Sequence, residues 1–176
     1  MDAPAPTTPP TPLDALLFST RAAAAAVVAY LVYERFLTIP GGVWAAVSAL
    51  LVSQPELHPS LRASLARCVA NLIGAGFGSL AVVALGPTPS ALALGVIATG
   101  MTCHVARLDD ALRPAYVAVA IVVLTLNPSL SVWAASLDRL VAVAVGCAVS
   151  IATTLIFAAC LGGFKRHLLV RQGETE

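Results

Sequence analysis

Charge is scarce in this chain. Of its 176 residues only 11% are Asp, Glu, Lys or Arg, where a soluble domain carries roughly 25%. Ten Lys and Arg nearly balance nine Asp and Glu, for a net charge of +1, so there is no basic footprint for nucleic acid. No G-x-x-x-x-G-K-[ST] occurs, which excludes ATP binding by that loop. The four cysteines, Cys68, Cys103, Cys147 and Cys160, form no C-x-x-C. A disulfide framework or zinc site is not expected, and they read as small apolar fillers. His104 beside Cys103 supplies two ligands where a tetrahedral metal site needs three or four. No Asp or Glu lies deep in an apolar run, which leaves a carboxylate proton relay unsupported. No nucleophile motif marks a hydrolase. Neither enzymatic activity nor a metal or cofactor is expected.

What is present is apolar surface: 59% of the residues are hydrophobic. That composition excludes a water-soluble globular enzyme and a disordered chain, and leaves lipid as the solvent. Met1–Pro12 holds five prolines and no Lys or Arg. It reads as an extended tail without the basic start of a secretion signal.

A helix crosses the hydrocarbon with about 20 apolar residues. Leu16–Phe36, Cys68–Gly86 and Leu140–Gly162 qualify, and Ala91–Arg107 is slightly shorter. Val43–Val52 and Ala115–Leu126 are short and bounded by Pro40-Gly41-Gly42, Pro55, Pro114 and Asn127-Pro128. If only the four longer runs cross, Lys and Arg divide four to six between the two sides. If all six cross, they divide eight to two, the normal positive-inside asymmetry. Six spans follow, with both termini cytoplasmic in the cell (inner) membrane. The short spans then need local thinning or burial within protein. Continuous, Ala-rich runs suit helices, whereas barrel strands alternate apolar and polar residues.

The chain also repeats itself. Ala63–Gly74 (ASLARCVANLIG) and Ala135–Gly146 (ASLDRLVAVAVG) agree at seven of twelve positions under a shift of 72, which also places Trp44 on Tyr116 and Arg35 on Arg107. Each copy holds a long, a short and a long span. An odd number of crossings inverts the second copy, and inverted repeats with short segments at matching positions mark transport proteins. The expected fold is an all-α integral membrane protein, with six transmembrane helices as two inverted three-helix repeats. Residues 1–14 would be a disordered cytoplasmic tail. Residues 15–164 would be the membrane domain (repeats about 15–86 and 87–164), and 165–176 a short cytoplasmic tail.

Helical spacing sets Arg67, Asn71, Gly74 and Gly78 on one face, and Arg139, Val143, Gly146 and Ser150 on its counterpart. Gly74, Gly78, Gly146 and Ser150 suit close helix packing, within one chain or between copies. Arg67 and Arg139 either line an anion route or snorkel from helix starts to the interface. On a route, a guanidinium stays charged and grips a carboxylate with its planar fork. Asn71 needs a polar partner at membrane depth. Gln54 and Asn127 each precede a proline at the end of a short span. Trp44 and Tyr116 suit an interfacial belt or stacking on an aromatic solute.

Two stretches resemble the fusaric-acid-resistance and aromatic-acid-exporter family, related to the plant aluminium-activated malate channels. One is PGGVWAAVSALLVSQP, Pro40–Pro55, and the other is RCVANLIGAGFG, Arg67–Gly78. Arg139–Gly146 fits less fully, because Ser150 stands where the pattern has glycine. The resemblance implies a six-span module, often dimeric or a higher homo-oligomer, that passes small organic or inorganic anions. Carboxylate efflux, of aromatic acids for instance, would use Arg67 and Arg139 as the basic groups. The alternative is a non-transporting membrane subunit that packs against a larger partner through its Gly/Ala-rich faces.

Overall fold

Pro12 opens the first helix, where its fixed φ fits and its missing N–H would have had no partner. The computed structural model describes residues 12–36, 41–54, 57–125 and 131–173, and every regular element among them is an α-helix. The order is α1 (Pro12–Phe36), α2 (Gly42–Val52), α3 (Leu57–Leu85), α4 (Pro89–Val105), α5 (Asp109–Leu124) and α6 (Val132–Gly173). The tail expected over 1–14 therefore already turns helical at Pro12, and its residues 1–11 lie outside the described ones. At the other end, α6 runs through the boundary expected at 164.

Local chemistry explains the breaks. Gly86 ends α3 in the left-handed region (φ 72°), its N–H donating to the Val82 carbonyl at 2.8 Å. Thr88 caps α4 by accepting from the Ala91 N–H at 3.3 Å. After α4, Arg107 takes φ 54° and the Leu108 N–H returns to the Cys103 carbonyl at 2.9 Å. Asp109 and Asp110 then face the positive end of the α5 dipole.

Every helix starts earlier than its apolar run, and three do so by well over a turn: α3 at Leu57 rather than Cys68, α5 at Asp109 rather than Ala115, and α6 at Val132 rather than Leu140. Polar residues near the starts, His58 and Ser60 in α3, Asp109 and Asp110 in α5, and Asp138 and Arg139 in α6, cut the apolar runs short. Pro114 is thus inside α5, not a boundary. It forgoes the one helical bond that would reach the Asp110 carbonyl. The correction that matters is that Arg67 and Arg139 are not at helix starts. Both sit well inside α3 and α6.

Among the described residues three stretches are long and apolar enough to cross a membrane: Ala15–Phe36, His58–Leu85 and Val132–Ala159. The others are shorter, with 11 residues in α2, 17 in α4 and 16 in α5.

The helices interlock. α2 packs on α1 and α6, α5 packs on α3 and α4, and α3 crosses α6. Ser79 meets Ser136, Asn71 meets Arg139 and Cys68 meets Cys147, so α3 and α6 run antiparallel. α3 and α5 run parallel, from Arg62 beside Asp110 to Gly78 beside Val122. α2 and α6 also run parallel, with Ala45 and Ser48 at Gly146 and Ser53 at Ser150. A Cβ on Gly74 would strike the Ala115 carbonyl and lie 2.8 Å from the Ala118 Cβ; one on Gly146 would strike the Ala45 carbonyl and lie 2.9 Å from the Ser48 Cβ. These glycines let backbones touch, as tightly packed membrane helices require.

Burial is inverted relative to a soluble protein. Ala25, Ala29, Ala45, Ala49 and Ala142 form an interior cluster, joined by buried Ser, Asn and Arg. Leu65, Leu72 and Leu137 point outward. Asn71 is 1% exposed while its neighbour Leu72 is 62% exposed. Water would reverse that choice; hydrocarbon favours it.

Candidate functional site

The site forms where α2, α3 and α6 meet. Trp44 and Ser48 stand one turn apart on α2, as do Arg67 and Asn71 on α3, and Arg139 comes from α6. The Arg67 Nε donates to the Ser48 Oγ at 3.2 Å, and the Asn71 Nδ2 donates to the Arg67 carbonyl at 2.9 Å. The Asn71 Oδ1 accepts from the Arg139 Nε at 3.1 Å. The Arg139 guanidinium carbon lies 4.3 Å from the centre of the Trp44 ring, in cation–π range. Asn71 thus spends both ends of its amide, one orienting a guanidinium and one closing a helical turn.

Arg67 is 9% exposed and Arg139 4%. No carboxylate of a described residue pairs with either. The Nη1 of Arg139 is buried and has no hydrogen-bond partner among the described residues. Two guanidiniums held close in a low-dielectric interior repel each other, and each has lost hydration. Such a pair favours an anion placed between or beside the two forks.

A cavity of about 540 Å3 opens between α2, α3 and α5. Trp44, Gln54 and Arg67 line it together with Arg62, Asp110 and Arg113. Its exposed end carries the Arg62–Asp110 ion pair, 2.8 Å long. Buried Arg67 forms its deep end. A second hollow, also about 540 Å3, shares Arg62 and Asp110 and reaches Arg107.

The tertiary fold therefore unites Arg67, Asn71, Arg139 and Trp44, with Gln54 on the same cavity. Gln54 is also tied by its backbone: its N–H donates to the Ser60 Oγ at 3.1 Å and its carbonyl accepts from Arg21. Tyr116 does not join them. It faces α4, with its hydroxyl against Gly100. The helix contacts explain why. Gly74 and Gly146 correspond under a shift of 72, but their partners, Ala115 and Ala45, Ala118 and Ser48, correspond under 70. The position matching Trp44 is thus Pro114, which lines the cavity. Asn127 lies outside the described residues.

Gly74 and Gly78 pack on α5, Gly146 on α2, and the Ser150 hydroxyl meets Ser53 at 3.1 Å. These four small residues make their close contacts within the chain. Sequence reading missed Ser48, Arg62, Asp110 and Arg113. The spacing of Trp44 and Ser48 was a usable signal. The other three lie outside the apolar runs, in the polar opening turns of α3 and α5.

A model of fusaric acid resistance protein-like sequences matches residues 23–153. The chain belongs to this family. No curated protein and no solved structure matches it. Membership, with the long apolar helices, makes this fusaric acid resistance-like protein a multi-pass membrane protein of the transporter class.

Proposed function

We propose that the protein passes small organic anions, carboxylates above all, along a route that enters through the α2–α3–α5 cavity and runs past Arg67 to Arg139. The observation that carries this reading is the pair of buried guanidiniums without a carboxylate partner among the described residues, one held by Ser48 and the other by Asn71. Snorkelling is disfavoured, since both side chains turn inward. Arg62 and Arg113 at the cavity gather anions from solution. Arg67 takes the carboxylate from them, and Arg139 with Trp44 receives it, the indole offering a stacking surface to an aromatic ring. No covalent chemistry is involved, and the protein acts without a cofactor.

All six helices cross in this reading, as two inverted three-helix copies. The antiparallel run of α3 and α6, and the exchange of α2 and α5 between the copies, support it. α2 is only about 16 Å long at 1.5 Å per residue. It is shielded on α1 and α6 rather than matched to the bilayer. Both termini are cytoplasmic, the membrane is the inner membrane, and the working unit is a homo-oligomer.

Flux of benzoate and acetate from proteoliposomes tests the route. Arg67→Ala and Arg139→Ala should each lower flux at least about tenfold, the loss of roughly 1.4 kcal/mol of barrier stabilisation. Arg→Lys should recover only part, because an ammonium lacks the fork. Unchanged flux and selectivity in both alanine variants would sink the proposal.

A further inference from the structure

Two of the four cysteines meet. Cys68 of α3 and Cys147 of α6 sit at the crossing of these helices, with the Cys68 thiol donating to the Cys147 sulfur at 3.9 Å. The Cys147 thiol donates in turn to the Ser64 carbonyl, back on α3, at 3.8 Å. Both thiols are free. They lie in an apolar pocket with Val52 and Val143. Neither cysteine lines the anion cavity, so the route does not use them. Cys68 is half-buried and Cys147 is 4% exposed. The pair is therefore one partly exposed cysteine backed by one enclosed cysteine, the arrangement of an attacked and a resolving thiol.

We propose that Cys68 and Cys147 form a redox site, oxidised by hydrogen peroxide to an intramolecular disulfide that staples α3 to α6 and stops anion passage. Cys68 loses two electrons to the peroxide and becomes a sulfenic acid, with release of one water. The Cys147 sulfur then attacks the Cys68 sulfur, the S–S bond forms, and the hydroxyl leaves with the remaining thiol proton as a second water. Two thiols and one peroxide give one disulfide and two waters. The sulfurs must close from 3.9 Å to about 2.05 Å. The staple would sit one residue after Arg67, on the two helices that carry both guanidiniums. Relative movement of α3 and α6, by which a carrier exposes its site to each side in turn, would be blocked. The regulatory half of this inference rests on the anion route proposed above; the bond itself does not.

The full chain in proteoliposomes is treated with hydrogen peroxide, then with dithiothreitol, and read twice: by peptide mass without reduction and by benzoate flux. The expected result is a Cys68–Cys147 cross-linked peptide and flux lowered roughly fivefold or more, both reversed by the dithiol. Cys68→Ser and Cys147→Ser should transport like the reduced parent and ignore peroxide, with Cys→Ala replacing either variant that fails to fold. Cys103→Ser should stay sensitive, since Cys103 is buried against Ala70, Ala111 and Ala115 instead. No cross-link, or oxidation that ends in sulfinic acid, overturns the site. A cross-link with unchanged flux overturns the staple. Absence of flux from the reduced parent counts against the anion route alone, because the mass still decides whether the bond forms.

Discussion

Arg139 and Asn71, 68 residues apart in sequence, share a hydrogen bond of 3.1 Å from guanidinium to amide oxygen. The same amide donates to the Arg67 carbonyl at 2.9 Å, so one neutral side chain ties both repeat-related arginine positions together. Under the 72-residue shift the counterpart of Asn71 is Val143, which offers no such bond. Arg67 instead relies on Ser48, whose counterpart on α5 is Ala118. The polar contacts of the site thus do not follow the 72-residue match.

Asn71 is the sharpest probe of that site. Asn71→Leu removes an acceptor from a buried charge and should cost about 1–3 kcal/mol of stability, read as a lower melting temperature in detergent, with loss of flux. Asn71→Asp should do the opposite to stability. A carboxylate there pairs directly with the buried Arg139 guanidinium, a charge-assisted bond that outweighs the lost donation to the Arg67 carbonyl, so melting rises while flux falls, because the resident charge competes with the solute. A melting temperature that drops in Asn71→Asp would contradict the charge argument.

Trp44 should set preference for aromatic anions. Its stacking on Arg139 is worth about 0.5–2 kcal/mol. Trp44→Leu should therefore weaken benzoate passage more than acetate passage, and Trp44→Phe should recover most of the difference. Competition between the two anions measures it. Equal losses for both would mean that the indole only packs.

The glycine contacts predict a graded series. Gly146→Leu drives a side chain into the Ala45 carbonyl, and Gly74→Leu drives one into the Ala115 carbonyl. Each should cost about 1–3 kcal/mol or more through overpacking. Gly76→Ala, in open space on the same helix as Gly74, should leave melting unchanged. Folded yield and melting in detergent report the order.

Arg62 and Asp110 form an exposed pair at the cavity rim. Exposed pairs add little to stability, so neither Arg62→Ala nor Asp110→Asn should shift melting appreciably. Their effect should appear in entry rate. Asp110→Asn should speed uptake at low ionic strength and Arg62→Ala should slow it, with both effects fading as salt rises. Salt-independent changes would remove the rim from the route.

The amino-acid order alone pointed to lipid as the solvent, to six helices and to the matching segments Ala63–Gly74 and Ala135–Gly146. These follow from composition, from apolar run length and from identities such as Arg67 with Arg139, which need no knowledge of partners. It also put Arg67 and Asn71 on one helical face, because a turn of helix does so by geometry. It could not decide whether those arginines faced lipid or protein. That depends on the rotation of α3 and α6 about their own axes, fixed only when Gly74 seats on α5 and Gly146 on α2. The two-residue change of register on α5 was equally hidden, and it sent Tyr116 to α4 while Trp44 reached Arg139. Meetings such as Asn71 with Arg139 or Cys68 with Cys147 arise at a crossing of two distant helices. Packing sets that crossing, and no local pattern encodes it.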